Sequence, residues 1–224
     1  MKFVRLEFNK LSFGYQDELV FKDIDFVFPV EEAVIFYGPT GSGKNTLLKL
    51  LAGLEDPVAG SFRINGQDIG QLSEQERFEF RRFQGYGFSQ GGLLQNRTIR
   101  QNLEVALEAL SDLGSEGIYQ RVEELLKTFK LQEAAHQRPG TVSGGTRMAC
   151  CLARALIHKP ELLLLNHPTS GLNADLIEAL LGEIERQRQA GTLRHIFLIS
   201  ENRMFAERLK CKSVSVFRDR LEAA

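Results

Sequence analysis

The sequence predicts an α/β fold in which helices wrap a mostly parallel sheet. Three observations support this fold class: alternating strand patterns come first, short apolar runs then alternate with helical patterns, and a helix-rich stretch interrupts that series. The chain has 224 residues, 43% of them hydrophobic, which is enough for one domain with a sizeable core. We therefore expect an α/β core with an amino-terminal antiparallel β subdomain and a helical insertion.

The amino-terminal part carries strand patterns. Stretches such as 3–8 and 21–26 alternate apolar with polar residues, as half-buried antiparallel strands do. Residues 33–37 form a continuous apolar run, which is typical of a parallel strand buried on both faces. After a Gly-rich loop, leucines recur at helical spacing, at Leu47, Leu50, Leu51 and Leu54. The order predicted here is strand, loop, helix.

The middle of the chain is predicted to be mainly helical. A short strand and turn occupy 60–69, and Ser73 with Glu76 three residues later marks the start of a polar helix. Residues 98–129 continue as helix, with one apolar stripe made of Val122, Leu125, Leu126 and Phe129.

The last third returns to strands alternating with helices. Apolar strands are predicted at 162–165, 196–199 and 214–217, with a helix at 174–189. We expect one domain, 1–224, with three parts: an antiparallel β subdomain of about 1–32 and 56–70, a core of 33–55, 71–90 and 150–224, and a helical subdomain of 91–149.

Composition excludes several classes of protein. Lys and Arg number 28 against 29 Asp and Glu, so no charge excess points to nucleic acid as a partner. The three cysteines, Cys150, Cys151 and Cys211, fit neither a disulfide framework nor a metal spacing and suggest a reducing compartment. No stretch looks like a signal peptide or a membrane span. We expect a soluble, cytoplasmic chain whose membrane role comes through a partner.

The loop after the first buried strand has the spacing of a P-loop, Gly38-Pro39-Thr40-Gly41-Ser42-Gly43-Lys44. Its glycines let backbone N–H groups surround phosphate oxygens, and the lysine reaches the terminal phosphates. The sequence therefore predicts a P-loop NTPase core. The next residue should carry a hydroxyl for Mg²⁺ but is Asn45, and Thr46 lies about 100° further round the helix.

Two further motifs resemble those of the ABC ATPase family, namely Val142-Ser143-Gly144-Gly145-Thr146 and the run from 162 to 173. The resemblance implies that Ser143, Gly144 and Gly145 contact the γ-phosphate of ATP held by the opposite subunit of a dimer. It also implies that Tyr15 stacks on adenine and that Gln90 links the metal site to the transporter contact. The implied cofactors are ATP and Mg²⁺, and the implied partners are transmembrane permease subunits and a second ABC subunit, in a homodimer or a heterodimer, at the inner face of the membrane.

The chain departs from the family at its chemical positions. The acidic pair at the end of a core strand is Asn166-His167, and the histidine expected after the next strand is Glu201. Softer departures are Asn173, Thr146 and Ala149. With no intact catalytic group, and with only Asn45 and Gln90 as metal ligands, the sequence predicts ATP binding, weakened Mg²⁺ binding and impaired or absent hydrolysis.

Several alternatives stay open from the sequence. His167 could act as a base in a slow but active transport ATPase, since an imidazole titrates near neutral pH. The chain could instead be a regulatory nucleotide sensor without a transport role, or a fold that has lost ATP binding. It could also complete the site of an active partner subunit. Stretches around 72–82 and 91–103 look similar to small bacterial subunits serving lipoprotein export, lipid trafficking or cell division.

Overall fold

The computed structural model describes residues 3–16, 18–88 and 92–223. The strands in these ranges are β1 (Leu6–Tyr15), β2 (Glu18–Phe28), β3 (Ala33–Tyr37), β4 (Ala59–Ile64), β5 (Gln67–Asp68), β6 (Gln84–Gly87), β7 (Leu162–Asn166), β8 (His195–Ile199), β9 (Lys212–Val216) and β10 (Leu221–Ala223). The α-helices are α1 (Lys44–Leu51), α2 (Glu74–Arg82), α3 (Ile99–Leu110), α4 (Ser115–Thr128), α5 (Gly144–Leu156), α6 (Ala174–Gln189) and α7 (Arg203–Arg208). Short 3₁₀ turns lie at Ile69–Gln71 and Pro139–Thr141.

The strands form two sheets, as the sequence predicts. The first is antiparallel and has the order β2-β1-β4-β5. The second has the order β10-β9-β3-β8-β7-β6 and is parallel except for the β10–β9 pair at its edge. The predicted fold class, a mostly parallel core with an antiparallel β subdomain and a helical insertion, is therefore confirmed.

The core consists of two clusters separated by the parallel sheet. Alternate residues of each parallel strand face opposite clusters, because successive side chains point to opposite faces of a strand. In β7, Leu162 and Leu164 belong to the cluster that includes α1 and the antiparallel sheet. Leu163 and Leu165 belong to the cluster formed with the helices from α3 to α7. The sheet is therefore covered on both faces, which explains why its central strands β3, β7 and β8 read as apolar runs.

Local capping signals fix where the helices begin. Ser73 accepts a hydrogen bond from the Glu76 N–H while the Glu76 carboxylate accepts one from the Ser73 N–H, which is the capping box predicted for α2. Thr98 and Gln101 make the same pair of bonds at the start of α3.

None of the helices in the described ranges combines the length and apolar character that a bilayer crossing requires.

The helix α5 joins the helical insertion to the core. It runs unbroken through the expected boundary between residues 149 and 150, and its residues from Met148 to Ala153 are all buried. Cys150 and Cys151 both lie in this buried stretch, and burial raises the pKa of Cys150 to about 12. Both cysteines therefore act as small apolar residues, as the sequence suggests.

Candidate nucleotide site

A cleft of about 340 Å³ lies where the parallel strands end. β3, β7 and β8 run parallel, so their carboxyl ends meet at one edge of the sheet, the usual place for a ligand in an open α/β fold. The cleft is lined by Val20, Thr40, Gly41, Gly43, Lys44, Asn45, Thr46, His167 and Glu201. The structure thus brings most of the P-loop together with two of the positions at which the chain departs from the family resemblance.

The glycines of the loop are required by its conformation. Gly41 and Gly43 have φ angles of 82° and 93°, in the left-handed region that favours glycine. A Cβ atom on Gly43 would also lie 2.6 Å from Val20 Cγ1 and 2.7 Å from Phe21 Cζ. Leu47 N–H donates to the Gly43 carbonyl at 2.8 Å, so α1 begins directly at this loop. Its first N–H groups therefore face the cleft as an anion site.

Lys44 is held against the loop rather than extended into solvent. Its Nζ donates to the carbonyl oxygens of Gly38, at 2.6 Å, and Pro39, at 2.9 Å. Burial lowers the pKa of Lys44, and the nearby Glu201 carboxylate opposes that shift. The cleft therefore contains one lysine ammonium and one carboxylate within electrostatic reach of each other.

The two residues after Lys44 differ in their surroundings. Asn45 is exposed, whereas Thr46 is only 7% exposed, and both line the cleft. The neighbouring Ser42 is also buried, and its Oγ has no hydrogen-bond partner among the described residues. These side chains present neutral oxygen atoms, so they can bind a phosphate-bound cation only through a hydroxyl or an amide.

The wall opposite the P-loop is formed by the ends of β7 and β8. Asn166 ends β7 and is 7% exposed, and its buried Oδ1 has no partner in the part of the chain that the structure describes. His167 follows with a φ of 48°, and its N–H donates to the Ile199 carbonyl at 2.8 Å. This bond ties the ends of the two strands together, so His167 and Glu201 share one side of the cleft.

The cleft fits the phosphates of a nucleotide. The left-handed glycines, the start of α1 and Lys44 supply N–H donors and positive charge on one side. For magnesium, Asn45 and Asn166 carry amide oxygens, and the buried Oδ1 of Asn166 has no hydrogen-bond partner among the described residues. Within the described ranges, no group of three or more His, Cys, Asp or Glu side chains is arranged to hold a metal ion.

The residues Ser143, Gly144 and Gly145 are not among those that line the cleft. Ser143 caps α5 by accepting from the Thr146 N–H at 3.1 Å, which leaves the amino-terminal end of the helix exposed. A Cβ on Gly145 would lie 2.7 Å from the Gly171 carbonyl oxygen, in the loop that follows β7. The start of α5 is therefore an exposed helix terminus outside the chain's own cleft.

Tyr15, which is predicted to stack on adenine, is not among the residues that line the cleft. Tyr15 is 44% exposed, packs edge-on against Phe13 and has the Lys49 ammonium 5.9 Å from its ring centroid. One face of its ring is thus available for stacking. Gln90 lies outside the described residues. Sequence reasoning missed Val20, which lines the cleft from β2, because an apolar residue in an alternating strand carries no signal of a binding role.

Comparisons with known proteins identify similar sequences and folds. The family model described as ABC transporter matches residues 21–170. Among curated proteins, the spermidine/putrescine import ATP-binding protein PotA of Haemophilus ducreyi is 33% identical over 187 residues, covering 83% of this chain and 49% of that protein. The sulfate/thiosulfate import ATP-binding protein CysA of a Synechocystis species is 35% identical over 190 residues, covering 85% and 52%. The chain thus spans about half the length of these curated relatives.

Solved structures show the same fold. A dimeric ATP-binding cassette in a post-hydrolysis state, bound to ADP and Pi, matches with a TM-score of 0.85 at 23% identity and covers 97% of this chain and 96% of that chain. An ATP-binding subunit of an ABC transporter matches with a TM-score of 0.84 at 28% identity and covers 99% and 90%.

Proposed function

Because the chain belongs to the ABC transporter family and forms an ATP-binding domain of it, we propose that it binds ATP in the P-loop cleft and hydrolyses it slowly or not at all. One observation carries this proposal. The P-loop side of the cleft keeps its glycines and Lys44, whereas the opposite wall presents His167 and Glu201, with the buried Asn166 directly before His167 at the end of β7. The groups that hold phosphate are separate from the groups that would activate water, and only the first set is complete.

The impaired hydrolysis follows from the chemistry of the opposite wall. A positioned general base contributes about 10²–10⁴ to the rate of such a reaction. At the end of β7 the chain offers an amide and an imidazole in place of the two carboxylates that the resemblance implies there. The carboxylate that lines the cleft, Glu201, comes from the end of β8 and lies near Lys44. Its charge acts on the Lys44 ammonium from across the cleft.

Magnesium binding is weakened for a related reason. Mg²⁺ is bound in proteins by carboxylates and substrate phosphates, with hydroxyls and amides as weaker ligands. Asn45 and the orphaned Oδ1 of Asn166 are both neutral oxygen donors. When bound, the metal ion would neutralise charge on the phosphates, and these two residues would orient it without adding negative charge.

The exposed start of α5 supports a role in a dimer. Ser143, Gly144 and Gly145 stand at a capped helix terminus that does not line the chain's own cleft. We infer that they contact nucleotide held by a second subunit, either another copy or an active ABC subunit whose site this chain completes. Transmembrane permease subunits are the partners that would place the chain at the membrane. The import functions in the names of PotA and CysA support a transport role of this kind.

A second candidate is a slow transport ATPase that uses His167. His167 lines the cleft, and its backbone is fixed by the bond to Ile199, so its ring is held on the correct wall. A neutral imidazole can accept a proton from water. This candidate requires phosphate release that is lost in His167→Ala.

Binding of ATP by purified chain, with and without Mg²⁺, tests the proposal when it is run beside a phosphate-release assay. We expect binding that depends little on Mg²⁺ and no phosphate release above background. Lys44→Ala is the matched variant and should abolish binding, whereas Lys22→Ala, on an exposed position of β2, should not. Rapid phosphate release that requires Mg²⁺ would contradict the proposal.

A further inference from the structure

Glu201 occupies an unusual place for a carboxylate. It follows β8, is exposed, and lines the cleft together with Lys44, Asn45 and His167. Its charge acts on the Lys44 ammonium, which is itself bonded to the carbonyls of Gly38 and Pro39. The carboxylate therefore lies across the cleft from the lysine, in the space that faces the P-loop.

This space is where the last phosphate of a nucleotide would lie. In a P-loop the backbone N–H groups surround the inner phosphates, and the lysine reaches the outermost ones. A carboxylate close enough to act on that lysine is also close to the outermost phosphate. Two unit charges 4 Å apart interact by about 1 kcal/mol in water, and more where the surroundings are less polar.

The negative charge of Glu201 should affect the third phosphate of a nucleotide more than the first two. A nucleoside diphosphate would place its phosphates against the loop glycines and the start of α1. A triphosphate adds negative charge at the side of Lys44 that Glu201 already faces.

We infer that Glu201 removes the preference of this cleft for a nucleoside triphosphate, so that ADP is held about as tightly as ATP. This inference rests on the proposed nucleotide binding and adds the ligand selectivity of the same cleft. A site of this kind keeps its nucleotide whether or not the third phosphate is present. The chain would then stay nucleotide-bound while a partner subunit passes through its own cycle.

The test is the ratio of the dissociation constants for ADP and ATP, measured by titration calorimetry in the absence of Mg²⁺. For the unmodified chain we expect a ratio near one. Glu201→Gln keeps the shape of the side chain and removes its charge, so ATP should bind about fivefold more tightly while ADP changes little. Glu201→Asp keeps the charge and should preserve a ratio near that of the unmodified chain. Glu207→Gln removes an exposed carboxylate of α7 that does not line the cleft, and it should have no effect.

Added salt provides a further readout. The gain in ATP affinity from Glu201→Gln should shrink as ionic strength rises, because salt screens exposed charges. Equal changes for ADP and ATP, or weaker ATP binding in Glu201→Gln, would overturn the inference while leaving the proposed nucleotide binding intact. Failure of both nucleotides to bind any of the proteins would overturn the proposed function together with the inference.

Discussion

At the scale of single residues, the cleft region combines residues that are confined by their neighbours with residues that differ from those that the family resemblance implies. Gly43 is confined by Val20 and Phe21, and Lys44 is held by two loop carbonyls. Across the cleft, Asn166 and His167 occupy fixed backbone positions but bring side chains with different chemistry. The backbone of a phosphate site therefore surrounds side chains that differ from those that the family resemblance implies.

Replacing Gly43 by alanine should reduce stability more than the same change at Gly41. Both positions have a left-handed φ, which costs roughly 1–2 kcal/mol for a residue with a Cβ. At Gly43 the new methyl group would also clash with Val20 and Phe21, adding about 1–3 kcal/mol, whereas at Gly41 no atom lies within 4 Å. Urea unfolding of the two variants compares the effects directly. Equal losses of stability would show that the loop around Gly43 is not packed as described.

At the scale of elements, α5 is fixed at both of its ends. Ser143 caps its first turn, and its last carbonyls, on Leu156 and Ile157, accept hydrogen bonds from the buried Arg121 of α4. Arg121 also pairs with Glu183 of α6 at 2.9 Å, and both side chains are buried. The helix that carries Ser143 is thereby tied to the helical insertion and to the core at the same point.

Replacing Arg121 by methionine should destabilise the chain strongly. The change removes the Arg121 donor to the Ile157 carbonyl and one partner of the buried Glu183, and breaking a buried pair costs about 3–5 kcal/mol. The Leu156 carbonyl still accepts a hydrogen bond from the Gln187 side chain at 2.9 Å. Arg186 still contacts Glu183, so we expect a loss of roughly 2–4 kcal/mol in urea unfolding. Arg208→Met breaks the exposed pair with Glu178 and should change the unfolding free energy much less, because water screens an exposed ion pair. Similar losses in the two variants would argue against a structural role for the buried network.

At the scale of the whole molecule, most of the fold can be predicted from the sequence, because its apolar runs and capping signals follow the order of the strands and helices. The apolar runs of β3, β7 and β8 are buried on both faces, and the capping box at Ser73 starts α2 as expected. Other features have no local signal. Arg121 and Glu183 are 62 residues apart, and each reads as an ordinary surface charge until the helices are packed. For the same reason, the approach of Glu201 to Lys44 depends on two strands that are distant in sequence.

Acid should destabilise the whole domain through buried histidines. Burial lowers the pKa of His195 from 6.5 to about 4, and burial also lowers that of His158 to about 4. A histidine whose pKa is lower in the folded than in the unfolded chain binds fewer protons when the chain is folded. Its contribution to the unfolding free energy is therefore complete above pH 6.5 and is lost as the pH falls towards 4. For His195 the loss is at most roughly 3 kcal/mol.

His195→Asn should flatten the dependence of unfolding free energy on pH in this range. His195 Nδ1 accepts a hydrogen bond from the Glu31 N–H at 2.6 Å. An asparagine side chain keeps an acceptor for this bond but cannot be protonated in this pH range. Denaturant unfolding at several pH values between 4 and 7 measures the slope, with the exposed His136→Asn as the control. An unchanged slope in His195→Asn would mean that this buried ring does not set the acid limit.

The central claim is that four side chains account for slow or absent hydrolysis in a cleft that still binds ATP. The most direct test is phosphate release by the unmodified chain and by a variant with Asn45→Ser, Asn166→Asp, His167→Glu and Glu201→His, both at saturating ATP and Mg²⁺. We expect background release from the unmodified chain and an increase of at least about 10²-fold in the variant. Release from the unmodified chain that equals or exceeds that of the variant would contradict the account.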